Sequence, residues 1–333
     1  MLAEGLGVSP QTLSFTPGGP AALRSGLEGL RYAARRTGPR LVASAVEHSA
    51  ILVTGRQIVA DSQDPSAFGE VGVDRLGRVD LDAWGQALAV PGTSVAALQS
   101  ANGEVGTRQP LADAHEACRA RGIPLLVDAT AGLGRDEAPE HYDVLAADAR
   151  SFAGPAGVGL LVIPARTRWR RPGPPSELEG GRSLDEPVLP LVLGAAEAWA
   201  RTAVDRAEET RATRALVDRI RAVAASVPES EVAGDPVDRL PHVLTVSFLL
   251  ADGEALVTEL DRRGIAVASG SACTSSTLEP SHVLAAMGAL THGNIRVTLP
   301  VAAVSPTREQ DVEALVRALP DAVAAVRAQV AGR

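Results

Sequence analysis

Val95 to Val127 reads VAALQSANGEVGTRQPLADAHEACRARGIPLLV, and its three parts decide the fold. Val95–Gln99 is a short apolar run that ends in a turn, Leu111–Arg121 places apolar residues at helical spacing, and Pro124–Val127 is a second short apolar run. Short apolar runs separated by helices point to a parallel sheet covered on both faces. The same kind of run recurs at Arg40–Ala45 and Val158–Ile163, so the expected class is α/β.

Beyond this region the chain changes character. Arg166 to Gly181, RTRWRRPGPPSELEGG, reads as a loop, and Pro187 to Ser226 reads as one long helical stretch rich in Ala, Arg and Glu. A strand at His242–Phe248, a helix at Glu254–Arg263, a short strand at Ile265–Ala268 and a closing helix at Thr307–Val330 suggest a smaller α+β domain. The expected division is a large domain over 1–200 and a small one over 201–333.

Composition narrows the function classes. With 45% hydrophobic residues in 333, the chain has ample material for folded cores, and a net charge of -8 leaves no electrostatic footprint for nucleic acid. The run Arg166, Arg168, Arg170, Arg171 reads as a solvated loop. No apolar run approaches the roughly 18 residues that span a bilayer, and the N-terminus lacks a basic-then-apolar leader. A cytoplasmic protein that avoids membranes is expected. Cys118 and Cys273 lie far apart without metal-ligand spacing, so neither a disulfide framework nor a metal site is supported. Cys118, among apolar neighbours at helical spacing, reads as core.

All 32 basic residues are arginine; the chain contains no lysine. A guanidinium stays protonated and cannot condense with an aldehyde. Any chemistry that needs an internal lysine amine is therefore closed to this chain.

That absence matters because of a resemblance. Ser269 to Gly288, SGSACTSSTLEPSHVLAAMG, followed by NIRVTL at Asn294–Leu299, resembles the cysteine loop of cysteine desulfurases, members of the class V aminotransferase group of pyridoxal phosphate enzymes. Further matches run in the family's order: LSFTPGGPAALRSGL at Leu13–Leu27, AVEHSAIL at Ala45–Leu52, ANGEVGTRQP at Ala101–Pro110, VDATAGLG at Val127–Gly134 and SFAGPAGVGLLVI at Ser151–Ile163. The resemblance covers nearly the whole chain. It implies the fold type I of aspartate aminotransferase, with a mainly parallel sheet in the large domain. The chain is expected to lack the family's N-terminal segment with its Tyr-Leu-Asp-Tyr-Ala-Ala-Thr-Thr-like stretch.

Residue by residue, the resemblance implies that Asp128 corresponds to the carboxylate at the pyridine nitrogen, His48 to the histidine stacked on the ring, Arg296 to the clamp of the substrate carboxylate, and Cys273 to the sulfur-carrying cysteine. Other elements are altered. The family's Ser-His-Lys aligns with Ala149, Arg150 and Ser151, so a serine stands where the Schiff-base lysine belongs. The phosphate loop becomes Gly18-Gly19-Pro20-Ala21, the ring-contacting asparagine aligns with Gly103, and a glutamine aligns with Ala131. The expectation is a degenerate desulfurase-like protein of sulfur transfer with no covalently bound cofactor, acting through Cys273 as a partner or persulfide relay. It is expected as a homodimer, or as a heterodimer with a competent desulfurase, that meets a sulfur acceptor protein. Two alternatives stand beside it: an enzyme that holds pyridoxal phosphate without a covalent bond, and a structural or regulatory binding module.

Overall fold

The computed structural model describes residues 1–183, 185–269 and 280–331. The chain divides into two compact units. The first comprises 1–73, 78–102 and 109–206, and the second 74–77, 103–108 and 207–333.

In the first unit the order along the chain is α1 (Leu2–Gly5), β1 (Leu13–Thr16), α2 (Gly19–Ala33), β2 (Arg40–Ser44), α3 (Ser49–Ser62), β3 (Phe68–Val71), α4 (Leu81–Leu88), β4 (Thr93–Gln99), α5 (Leu111–Arg119), β5 (Leu125–Asp128), β6 (Val144–Asp148), β7 (Gly159–Val162) and α6 (Leu189–Val204). The seven strands form one sheet in the order β1-β7-β6-β5-β4-β2-β3. Pairings from β3 through β6 are parallel, whereas β7 runs antiparallel to both β6 and β1. All seven residues of β4 are buried, as a strand between two neighbours with both faces covered requires.

Alternation distributes each strand between two cores. Leu41, Val95, Ala97, Leu126 and Leu161 face a cluster with Leu23, Leu27 and Leu30 of α2 and Ile51 and Ile58 of α3. Val42, Ala96, Leu98, Val127 and Leu160 face the opposite cluster with Trp84 of α4, Cys118 of α5 and Trp199 of α6. Helix α2 forms because its apolar residues recur on one face, leaving Arg24 and Glu28 outside.

The second unit holds α7 (Arg206–Ser226, of which Arg206 falls to the first unit), β8 (Ser230–Val232), β9 (Val243–Phe248), α8 (Gly253–Arg262), α9 (His282–Met287), β10 (Asn294–Thr298) and α10 (Arg308–Ala331). Its sheet, β10-β9-β8, is antiparallel. The core joins Val217 and Ile220 of α7, Val246 and Phe248 of β9, Leu256 and Leu260 of α8, and Leu315 and Leu319 of α10.

Two expectations need correction. The long helical stretch after Pro187 is two helices that break at Asp205, whose backbone leaves the helical region. Ile265–Ala268 forms no strand; only Ala268 bridges, to Arg296. Both are matters of hydrogen bonding that composition does not encode.

Candidate functional site

In an open α/β sheet, ligands meet the carboxyl ends of the parallel strands. Here β5 ends in Asp128 and β6 in Asp148, and β2 is followed by Glu47 and His48. His48 is the N-cap of α3, its Nδ1 accepting from the Ala50 N–H at 3.0 Å. That bond fixes the neutral ring as the Nε2–H tautomer. One oxygen of Asp128 accepts from the Thr130 N–H at 2.7 Å, a local turn that holds the carboxylate at the strand end.

Asp148 is a residue that the sequence reading did not single out. It is buried, and its Oδ2 accepts from the Gly19 N–H at the start of α2 at 2.8 Å. Arg150 grips the same carboxylate as a fork, Nε to Oδ1 at 2.9 Å and Nη2 to Oδ2 at 2.8 Å, while the Arg150 N–H also reaches Oδ1 at 2.9 Å. An anion thus already sits against the positive end of α2, where the helix dipole and unpaired N–H groups favour one. Gly18 makes this approach with φ +111, a conformation that side chains disfavour. At Gly19 an added Cβ would lie 2.8 Å from Thr130 Cγ2 and 2.9 Å from Asp148 Oδ2, so only glycine lets helix and carboxylate meet. Pro20, next in the helix, has no N–H to offer.

The three carboxylates differ in proton affinity. Burial, with repulsion from Asp128 second, pushes Glu47 well above its ordinary value, even though it accepts from the Gln99 N–H at 3.0 Å. Burial also raises Asp128, against the pull of the Thr130 hydrogen bonds. Burial acts on Asp148 in the same direction, but the Arg150 and Gly19 hydrogen bonds outweigh it and hold this carboxyl below the usual range. Asp148 is the fixed negative charge of the site.

Ser151, aligned with the family's lysine, is a structural hydroxyl: its Oγ lies 2.7 Å from the carbonyl oxygens of both Leu133 and Asp148. Pyridoxal phosphate asks for an amine, a ring carboxylate and phosphate donors. Asp128 and His48 suit the ring end. The amine is missing, and the N–H that begins α2 is taken by Asp148, so the residues present do not fit the group as a whole.

Arg296 belongs to the second unit. It lies on β10, half-buried, with its backbone paired to Ala268, and it lines a cavity of about 520 Å³ with Ile265, Val267, Leu299 and Leu315. Among the described residues no carboxylate forms an ion pair with it. Cys273 lies outside the described residues. Cys118 is fully buried, its thiol pushed up to about 12 by burial. Among the described residues, no group of three or more His, Cys, Asp and Glu is placed to hold a metal, and no helix is long and apolar enough to cross a membrane.

Asp148 and Glu47 escaped sequence reading for identifiable reasons. Val144–Ala147 is too short and alanine-rich to announce a strand, so nothing marked Asp148 as a strand-end residue; the one available signal was its place just before the altered triplet. Glu47, next to His48, gains meaning only from its burial.

Comparison with known proteins agrees with this architecture. The class-V aminotransferase family model matches residues 2–315. The chain is 34% identical over 332 residues to a cysteine desulfurase of Cereibacter sphaeroides, covering 94% of this chain and 80% of that protein. It is 33% identical over 321 residues to cysteine desulfurase IscS 1 of Archaeoglobus fulgidus, covering 94% of this chain and 81% of that protein. The solved structure of a NifS-like protein matches with a TM-score of 0.83 at 24% identity, over 96% of this chain and 85% of that one, a likeness of fold. On these matches, carried along nearly its whole length, the chain belongs to the cysteine desulfurase family of class-V aminotransferases.

Proposed function

We propose that this protein works in sulfur transfer without pyridoxal phosphate catalysis of its own, as a partner of a competent desulfurase and a carrier of sulfur on Cys273. The observation that carries the reading is the Asp148 carboxylate held by the Gly19 N–H and the Arg150 fork. It puts a fixed negative charge where the family's phosphate loop aligns, and with no lysine in the chain the covalent anchor is lost as well. The cysteine loop, by contrast, keeps the family's pattern, and Arg296 keeps a guanidinium without an ion-pair partner among the described residues.

The sulfur step needs no cofactor. The Cys273 thiolate attacks the outer sulfur of a donor persulfide, R–S–SH; a new S–S bond forms, the donor's S–S bond breaks, and the donor leaves as its thiolate. No net oxidation occurs, and the same exchange onto an acceptor thiol releases the sulfur.

The retained pair His48 and Asp128 supports a second reading, an enzyme that holds the cofactor without a covalent bond. Asp148 weighs against it. The two are separated by incubating the purified protein with cysteine, with and without an active desulfurase, and mapping added sulfur by mass spectrometry on wild type and Cys273→Ser. Sulfur on Cys273 only when the active desulfurase is present supports the relay. Sulfide release by the protein alone with pyridoxal phosphate, on the order of 1 per second, overturns it.

A further inference from the structure

Arginines gather at the other end of the first unit's sheet. A cavity of about 520 Å³ opens at the amino ends of the parallel strands, lined by Arg36, Arg119, Arg121, Arg166 and Arg168, with Asp143 as its one carboxylate. The sequence scatters these residues: Arg36 follows α2, Arg119 ends α5, and Arg166 and Arg168 follow β7. Five arginines around one concavity stand out in a chain of net charge -8.

Structural duties account for only two of them. Arg121 donates to the Ala117 carbonyl at 3.1 Å, and Arg166 to the Tyr142 carbonyl at 3.0 Å, bonds that steady these side chains at the cavity. The side chains of Arg36, Arg119 and Arg168 make no hydrogen bond or ion pair among the described residues. Asp143, whose Oδ2 accepts from the Leu125 N–H at 3.0 Å and lies 3.3 Å from His115, offsets at most one of the five positive charges. The ends of α2 and α5 contribute partial negative charge, which favours a cation or two but falls well short of five.

We propose that this cavity binds a small molecule with two linked phosphates, of nucleotide size. Guanidinium forks match phosphate oxygens in pairs, and several forks around one hollow suit adjacent phosphates better than a single one. The volume lies within the range of roughly 300–1,000 Å³ that holds small ligands and cofactors. This site is independent of the chemistry around Asp148 and Cys273.

Isothermal titration at low salt with adenosine diphosphate tests the assignment, alongside inorganic phosphate, adenosine and a duplex oligonucleotide. Saturable one-to-one binding of the diphosphate is expected, with a Kd on the order of 0.1 mM, weaker binding of inorganic phosphate and none of adenosine. Arg36→Gln/Arg119→Gln/Arg168→Gln removes three exposed, unpartnered groups, so folding is preserved, and binding falls at least about tenfold. Arg150→Gln, at the opposite strand ends, leaves it unchanged. No saturation up to about 5 mM, undiminished binding by the triple variant, loss of binding in Arg150→Gln, or binding of the duplex alone each overturns the proposal.

Discussion

Replacing Ser151 with lysine supplies the missing amine, yet Ser151→Lys alone is expected to capture pyridoxal phosphate only weakly. The obstacle is Asp148, whose Oδ2 already holds the Gly19 N–H at 2.8 Å. An incoming phosphate that competes for this N–H comes within about 4 Å of the carboxylate, which at an effective dielectric constant of about 20 costs about 4 kcal/mol per unit of charge. That corresponds to about a thousandfold in affinity. Asp148→Ser removes the charge and leaves a hydroxyl that can donate. The assay is titration of each variant with pyridoxal phosphate, borohydride reduction, and mass spectrometry of the pyridoxyl adduct on residue 151. The Asp148→Ser/Ser151→Lys pair should form the adduct at cofactor concentrations roughly a thousandfold below those that Ser151→Lys requires. Equal trapping by the single and double variants refutes the reasoning, because Asp148 then does not stand in the phosphate's way.

Cys118, fully buried with a thiol pushed up to about 12, should resist brief alkylation of the native protein while Cys273 is labelled; faster labelling of Cys118 counts against Cys273 as the sulfur carrier. Glu47→Gln keeps an acceptor for the Gln99 N–H and removes a carboxyl whose folded-state value is raised. The stability tied to its proton is full below the unfolded value of about 4.3 and is lost as pH rises through the raised one, so the variant's gain in Tm should be larger at pH about 8 than at about 5. A gain independent of pH refutes this assignment. Asp148→Asn works in the opposite sense. Asp148 is held low, so its stabilising effect is present above the unfolded value and fades as pH falls through the folded one; the variant should cost about 2 kcal/mol near neutral pH, with the gap to wild type closing in acid denaturation series.

The sequence by itself determined the fold class, because short apolar runs such as Val95–Gln99 and Leu125–Val127 alternate with a helix that carries its own periodicity, the pattern of a parallel sheet covered on both faces. It also settled the absence of a lysine, a fact of composition that no folding can alter. The reversal of β7 against β6, the break at Asp205 and the failure of Ile265–Ala268 to form a strand were left to the tertiary structure, since each depends on which distant backbone groups find one another. The site divided the same way. Asp128 and His48 stand out as candidates from their motifs alone, whereas Asp148 acquired its meaning only when Gly19, 129 residues away in sequence, brought a helix N-terminus against it. The cavity arginines are the clearest case: read along the chain they are solvated charges, and only the folding of the sheet gathers five of them around one hollow. Periodicity and composition are local properties of a chain, while charge balance within a cavity is a property of three dimensions.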